Sequence, residues 1–292
     1  MLPRVNMTSE KNNNVAIDEA LDRIDAVFRN PSSLRRIWGH LDELILQHHI
    51  YNALLVYKPE DKIDIVDLGC GRGELLHSLR KYYLNARFFG IDFNERSIAA
   101  AKRLAGDALC LTQGSYRDIF RVIKKADLVI CSEVFEHVED YHDLLKNIAS
   151  LVKPGGYLSI STPSGWMFRL PSLTSMYLLL KSPKRFYQMY LTPENHWKDA
   201  LAIHPAILPN KLIKLLAQYQ FTTKLRRSSL WRMNETYGIN YKLFSYLARK
   251  FPLRVSLIFE SYLRLLESLM NTIPIFRVFE TRFILLAQKN DL

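Results

Sequence analysis

Three cysteines in 292 residues, Cys70, Cys110 and Cys131, are too few for a disulfide scaffold. None stands in a C-x-x-C pair, so a zinc finger is excluded as well. Each lies in or beside an apolar run, where a free thiol packs as a small hydrophobe, and a reducing cytosol fits that usage. Long uncharged apolar runs are missing too. The greasiest stretch, 255–276, is broken by Glu260, Arg264 and Glu267, which argues against a spanning helix. Residues 1–15 are polar and Asn-rich, so no secretory signal is expected there. Acidic charge is in deficit: 40 Lys and Arg face 29 Asp and Glu, a net +11. Residues 161–292 hold 19 basic and 7 acidic residues, so the whole excess lies in the second part. That part is either a solvated basic surface or an attachment that meets something anionic. With 48% apolar residues, a mainly disordered chain is excluded.

The spacing of apolar residues divides the chain. Residues 1–14 read as a disordered lead. Ala16–Phe28 and Ser33–Tyr57 have helical periodicity, parted by a turn at Asn30-Pro31-Ser32-Ser33. Residues 1–58 are therefore a lead and helical cap. From 59 to 165 short β-branched runs alternate with helical segments. Strands are expected at Lys62–Leu68, Arg87–Ile91, Ala108–Thr112, Asp127–Cys131 and Tyr157–Ser161, with Lys153-Pro154-Gly155-Gly156 as a helix stop and turn. Such alternation gives a parallel sheet with helices on both faces. Residues 166–205 read as an aromatic, basic insertion on the acceptor side. Residues 206–292 end the core, with amphipathic helices inserted at 230–275 and a last strand at Phe279–Gln288.

The first strand runs into Val66-Asp67-Leu68-Gly69-Cys70-Gly71-Arg72-Gly73. Glycines let this loop turn tightly and let a ligand approach its backbone. A dinucleotide site would place pyrophosphate here. The spacing is GxGxG rather than GxGxxG, however, and Asp67 would repel pyrophosphate while suiting a cationic amino group. Asp92 ends the second strand, 19 residues after Gly73, where an acid bonds ribose hydroxyls. A nucleoside joined to an ammonium, without phosphates, describes S-adenosylmethionine (SAM).

With these residues in order, the sequence resembles the class I, Rossmann-like SAM-dependent methyltransferases. The matching segments are the glycine loop and Gly90-Ile91-Asp92-Phe93-Asn94. After them come Gly114-Ser115, Asp127 to Val134, and Lys153-Pro154-Gly155-Gly156-Tyr157-Leu158. The resemblance implies a seven-stranded, mostly parallel α/β sheet with a reversed final hairpin. It implies that Gly69, Gly71 and Gly73 lie against the methionine part of SAM. Asp67 would face the amino group, Asp92 the ribose, Phe93 the adenine and Ser115 the adenine amino group.

Ser132-Glu133-Val134-Phe135-Glu136-His137-Val138 follows the fourth strand, where ligands bind in open α/β sheets. Glu133, Glu136 and His137 stand at i, i+3 and i+4, so in a helix they share one face. They can act as a general base with orienting carboxylates. They can ligate a divalent metal. They can also serve only as a charged helix N-terminus capped by Ser132. The patch resembles that of the O-methyltransferases of ubiquinone biosynthesis and their sugar- and lipid-pathway relatives. It also resembles the metal-dependent 2′-O-methyltransferases of small-RNA ends, in which case His196 or His204 would complete a metal site. The reading without a metal, with His137 as base, is preferred.

Trp166, Phe168, Arg169, Tyr177, Lys181, Lys184, Arg185 and their neighbours form one basic, aromatic cluster. Lys224, Arg226, Arg227, Trp231 and Arg232 form another. Such clusters suit a lipid headgroup interface or stacked bases. The expectation is a cytoplasmic SAM-dependent O-methyltransferase for a small-molecule, lipid-linked, glycan or quinone-like acceptor, with peripheral contact to the inner face of a membrane as an option. RNA 2′-O methylation and a non-catalytic SAM-binding regulator are the alternatives.

Overall fold

Strand β1 (Asp64–Leu68) is buried along its whole length, as an apolar run with helices on both sides must be. Its neighbours are β2 (Arg87–Asp92), β3 (Cys110–Gln113), β4 (Ala126–Ser132) and β5 (Val152–Pro163), followed by β6 (Phe221–Ser229) and β7 (Arg282–Lys289). Together they form one seven-stranded sheet in the order β3-β2-β1-β4-β5-β7-β6. The first five strands are parallel; β7 is antiparallel to both β5 and β6. The computed structural model describes residues 33–105, 108–165, 180–184, 207–229, 265, 268–280 and 282–291. The expected lead at 1–14, the helix at Ala16–Phe28, and most of 166–205 and 230–275 lie outside these residues.

Helices cover both faces. Side chains alternate between two cores with the period of two that a strand imposes. Val129 and Cys131 of β4 join one core with Leu144, Leu145 and Ile148 of α4 (Tyr141–Leu151) and Leu212 and Leu216 of α5 (Pro209–Gln218). Leu128 and Ile130 join the other, with Ala53 of α1 (Ser33–Val56), Leu75 and Leu76 of α2 (Glu74–Leu79), and Ile98 and Ala101 of α3 (Glu95–Ala105). Each fully buried Leu or Ile removes about 1.5–3 kcal/mol worth of apolar surface from water. This repeated burial fixes the register that brings the strand C-termini to one edge.

Three features differ from the sequence reading. Lys153-Pro154-Gly155-Gly156 lies within β5: Val152 already pairs with Ala126, and the register slips before Leu128 pairs with Tyr157. Gly155, at φ 71°, absorbs that irregularity. Second, Cys110 is exposed on edge strand β3, unlike buried Cys70 and Cys131. Third, His49, within the expected helix Ser33–Tyr57 and given no role by its spacing, is fully buried: its Nδ1 lies 2.7 Å from Ser159 Oγ, to which Asn52 Nδ2 also donates (2.9 Å). Burial, with His48 nearby, pushes the His49 pKa down to about 3, so α1 packs on β5 through a neutral imidazole. Among the described residues no helix is long and apolar enough to cross a membrane.

Candidate active site

The loop after β1 is held down from β2. The Gly69 and Cys70 N–H groups both donate to Ile91 O, at 2.8 and 3.0 Å. Gly69, Gly71 and Gly73 have φ of 76°, 52° and 77°, in the left-handed region that favours glycine. Gly69 also has no room for a side chain: a Cβ there would lie 2.2 Å from Val134 Cγ2. At Gly71 the same atom would meet nothing within 4 Å, so this side of the loop is open to a ligand.

Two acids border the loop. Asp92 locks it, accepting from Gly71 N (2.9 Å) with one oxygen and from Asn94 N (2.8 Å) with the other. Burial raises its pKa, and these two N–H donors oppose that rise. Asp67 is 2% exposed, and its buried Oδ1 has no hydrogen-bond partner. Burial, then the charges of Asp92 and Glu74, push its carboxyl well above the usual range. An orphaned buried carboxylate oxygen costs free energy unless a cationic donor reaches it. A primary ammonium supplies that donor and a pyrophosphate does not. The residues present therefore fit SAM: Asp67 for the amino group, the glycine loop for the methionine part and Asp92 for the ribose.

Phe93, next in the chain, is exposed. Ser115 has a local task. It caps the 3-10 turn Tyr116–Arg121: its Oγ accepts from Arg117 N and its N–H donates to Asp118. The preceding Gly114 N–H donates to Asp92 O at 2.9 Å, which places the turn beside the same site.

The patch after β4 is not the single helical face that its spacing suggests. Glu133 lies outside any helix, at φ 55°, and only Phe135–His137 form a 3-10 turn. Glu133 Oε2 accepts from Arg282 Nε of β7 at 2.5 Å. Glu136 is buried, and its Oε2 accepts from Thr162 Oγ1 of β5 at 3.1 Å. Burial and then the Glu133 charge raise the Glu136 pKa, against the pull of Arg282. His137 is about one-third exposed, with Nε2 3.9 Å from Glu136 Oε1. Ser132 does not cap the turn; its Oγ lies 3.1 Å from Ser161 Oγ. Among the described residues no three His, Cys, Asp or Glu side chains gather as metal ligands, and His196 and His204 lie outside those residues.

Sequence reasoning missed Arg282, Thr162 and Glu280. Glu280 is fully buried and accepts from Arg226 (2.7 and 2.8 Å), Ser164 (2.7 Å) and Ser228 (2.5 Å). Arg226 is thus committed to an internal carboxylate, and Arg227 stacks on Tyr51 with its guanidinium 3.6 Å from the ring centroid. Two bases of the expected second basic cluster are therefore engaged within the chain. Trp231 and Arg232 lie outside the described residues. The available signal was a charged residue opening an otherwise apolar last strand.

Residues 37–238 match the family model described as a methyltransferase domain. The chain belongs to this methyltransferase family. Among its relatives is the ubiquinone biosynthesis O-methyltransferase of Coxiella burnetii, 28% identical over 183 residues, covering 58% of this chain and 77% of that protein. The protein of the same name from Bradyrhizobium diazoefficiens is 28% identical over 187 residues, covering 61% and 68%. Two solved structures share the fold. One is a magnesium protoporphyrin IX methyltransferase from Synechocystis with bound SAH, with a TM-score of 0.56 at 15% identity, covering 93% of this chain and 95% of that one. The other is a SAM-dependent methyltransferase from Mesorhizobium loti, with a TM-score of 0.51 at 14% identity, covering 82% and 96%. The enzyme is SAM-dependent, and the family assignment agrees with the acid pair and the glycine loop.

Bound SAM supplies a methyl group activated by the adjoining sulfonium. The methyltransferase's own residues align and exclude. Asp67, with its unpaired buried Oδ1, and Asp92, bonded to Gly71 N–H, are the residues that would hold the donor. Val134, seated on Gly69, joins the donor loop to the turn that carries His137. Alignment of donor and acceptor is how an enzyme of this kind lowers a displacement barrier, and this contact would couple the candidate donor loop to the His137 turn.

Proposed function

We propose that this methyltransferase moves the SAM methyl to a hydroxyl oxygen of a small quinone-like acceptor with an apolar tail, and that His137 is the general base. The observation that carries the reading is His137 itself. It is the most exposed of the three patch residues, beside Glu136, on the turn that leans against the candidate donor loop. A hydroxyl must lose its proton as oxygen attacks carbon, and an imidazole is suited to take it near neutral pH. Glu136, buried and bonded to Thr162, orients the imidazole, and Glu133 is tied to Arg282. The similarity to ubiquinone biosynthesis O-methyltransferases supports an oxygen acceptor of this class. A lipid-linked acceptor would bring the enzyme to the inner face of a membrane, in keeping with the basic second part of the chain.

The test is His137→Gln, assayed with an alkyl-substituted catechol as the probe acceptor. Its kcat is expected to fall roughly a hundredfold while SAM binding stays within about threefold. An unchanged kcat in the folded variant removes His137 from the reaction. A probe that is never methylated by the wild-type enzyme removes the quinone-like class.

A further inference from the structure

The acidic patch has a counter-charge that comes from the far end of the chain. Arg282 opens β7, paired with Pro163 of β5 and Ser229 of β6. Its side chain is 8% exposed and that of Glu133 is 17% exposed, so their 2.5 Å contact is largely shielded from water. Glu133 needs such a partner. A non-glycine residue in the left-handed region is uncommon and strained, so it persists only where its surroundings hold it. Two contacts hold it: its N–H donates to Ser161 O at 3.1 Å, and its carboxylate takes the Arg282 guanidinium. The reversal at Glu133 is what seats Val134 on Gly69 and starts the Phe135–His137 turn.

We propose that Arg282 is a positioning residue: it pins the Glu133 turn and neutralises the Glu133 carboxylate, and so sets the electrostatic field at His137. The proposal deepens the reading of His137 as base and rests on it for its catalytic meaning. Its geometry does not depend on the acceptor. Among the described residues, the charged groups acting on Cys131 and Glu136, which flank the turn, are Asp67, Glu133, Glu136 itself and Arg282, and Glu139 follows in the chain. Of these, Arg282 is the cation. Without it the Glu133 charge acts unbalanced on Glu136, whose carboxyl lies 3.9 Å from His137 Nε2, and the imidazolium form is favoured. Without Glu133, the guanidinium stands uncompensated and disfavours that form.

The experiment is an NMR titration of the His137 imidazole in the full chain, with thermal melting to establish that each variant is folded. Arg282→Gln is expected to raise the His137 midpoint by about half a pH unit or more, and Glu133→Gln to lower it. The double variant should return it close to the wild-type value, because the two residues act as one unit. If Arg282→Gln does not fold, the fall in Glu133→Gln carries the test alone. A midpoint that stays put in either folded single variant overturns the proposal. The titration is independent of turnover: loss of activity in His137→Gln decides whether His137 is the base, and the midpoints decide whether Arg282 governs it.

Discussion

Replacing Asp92 with alanine is expected to weaken SAM binding by roughly a thousandfold, since charge-assisted hydrogen bonds contribute about 1.5–3 kcal/mol each and several depend on this carboxylate. Its two oxygens hold Gly71 N–H and Asn94 N–H in the free protein. Each oxygen has a second lone pair, which is where ribose hydroxyls would bind. The substitution therefore removes direct contacts and also releases the loop that shapes the donor site. Calorimetric titration with SAH, which needs no acceptor, reads the effect. Asp92→Asn separates the two losses, because its amide oxygen replaces only one of the two acceptors facing backbone N–H groups. Binding within a few-fold of wild type in Asp92→Ala would mean that the donor lies elsewhere.

Asp67→Asn is expected to cost SAM affinity more than a hundredfold, or about 3 kcal/mol, the loss typical when one partner of a buried ion pair is removed. It should also abolish a pH dependence. In the free protein the Asp67 carboxyl titrates well above its ordinary range, because burial and the charges of Asp92 and Glu74 oppose ionisation. An ammonium ligand requires the ionised form. Binding to the wild-type enzyme must therefore release a proton at low pH, and affinity should tighten as pH rises toward the raised pKa. The same shift affects stability with a defined sign. The folded state holds this proton more tightly than the unfolded chain, so the group's contribution to stability falls as pH rises above the unfolded pKa. Asp67→Asn should accordingly melt higher than the wild-type apoprotein at pH 7–8, with the gap closing near pH 4. A variant that binds SAM normally would show that Asp67 is not the ammonium site, and one that melts lower at neutral pH would contradict the raised carboxyl pKa.

The candidate donor half of the site was legible in the sequence because it is local. Gly69, Gly71, Gly73, Asp67 and Asp92 are placed by the ends of β1 and β2, two buried runs whose spacing reads directly as strand, turn and helix. Strands β1 to β4 fall within two residues of their expected bounds for the same reason. The acceptor half was less legible because it is non-local. The i, i+3, i+4 spacing of Glu133, Glu136 and His137 fits one helix face, but Arg282, 149 residues away, draws Glu133 into a left-handed turn, and Thr162 draws Glu136 inward. Periodicity does not register such long-range ion pairs. The burial of His49 under α1 was missed on the same ground: its partner Ser159 lies 110 residues away. Nor does spacing show that Arg226 serves the buried Glu280 rather than an external anion.

The most direct measurement is transfer of labelled methyl from SAM into a fractionated cell extract by the wild-type enzyme and by His137→Gln, each first shown to bind SAH. The account predicts label in the organic-extractable fraction with the wild-type enzyme and little with the variant. Label in an RNase-sensitive fraction, equal labelling by both proteins, or no transfer by a wild-type enzyme that binds SAH would contradict it.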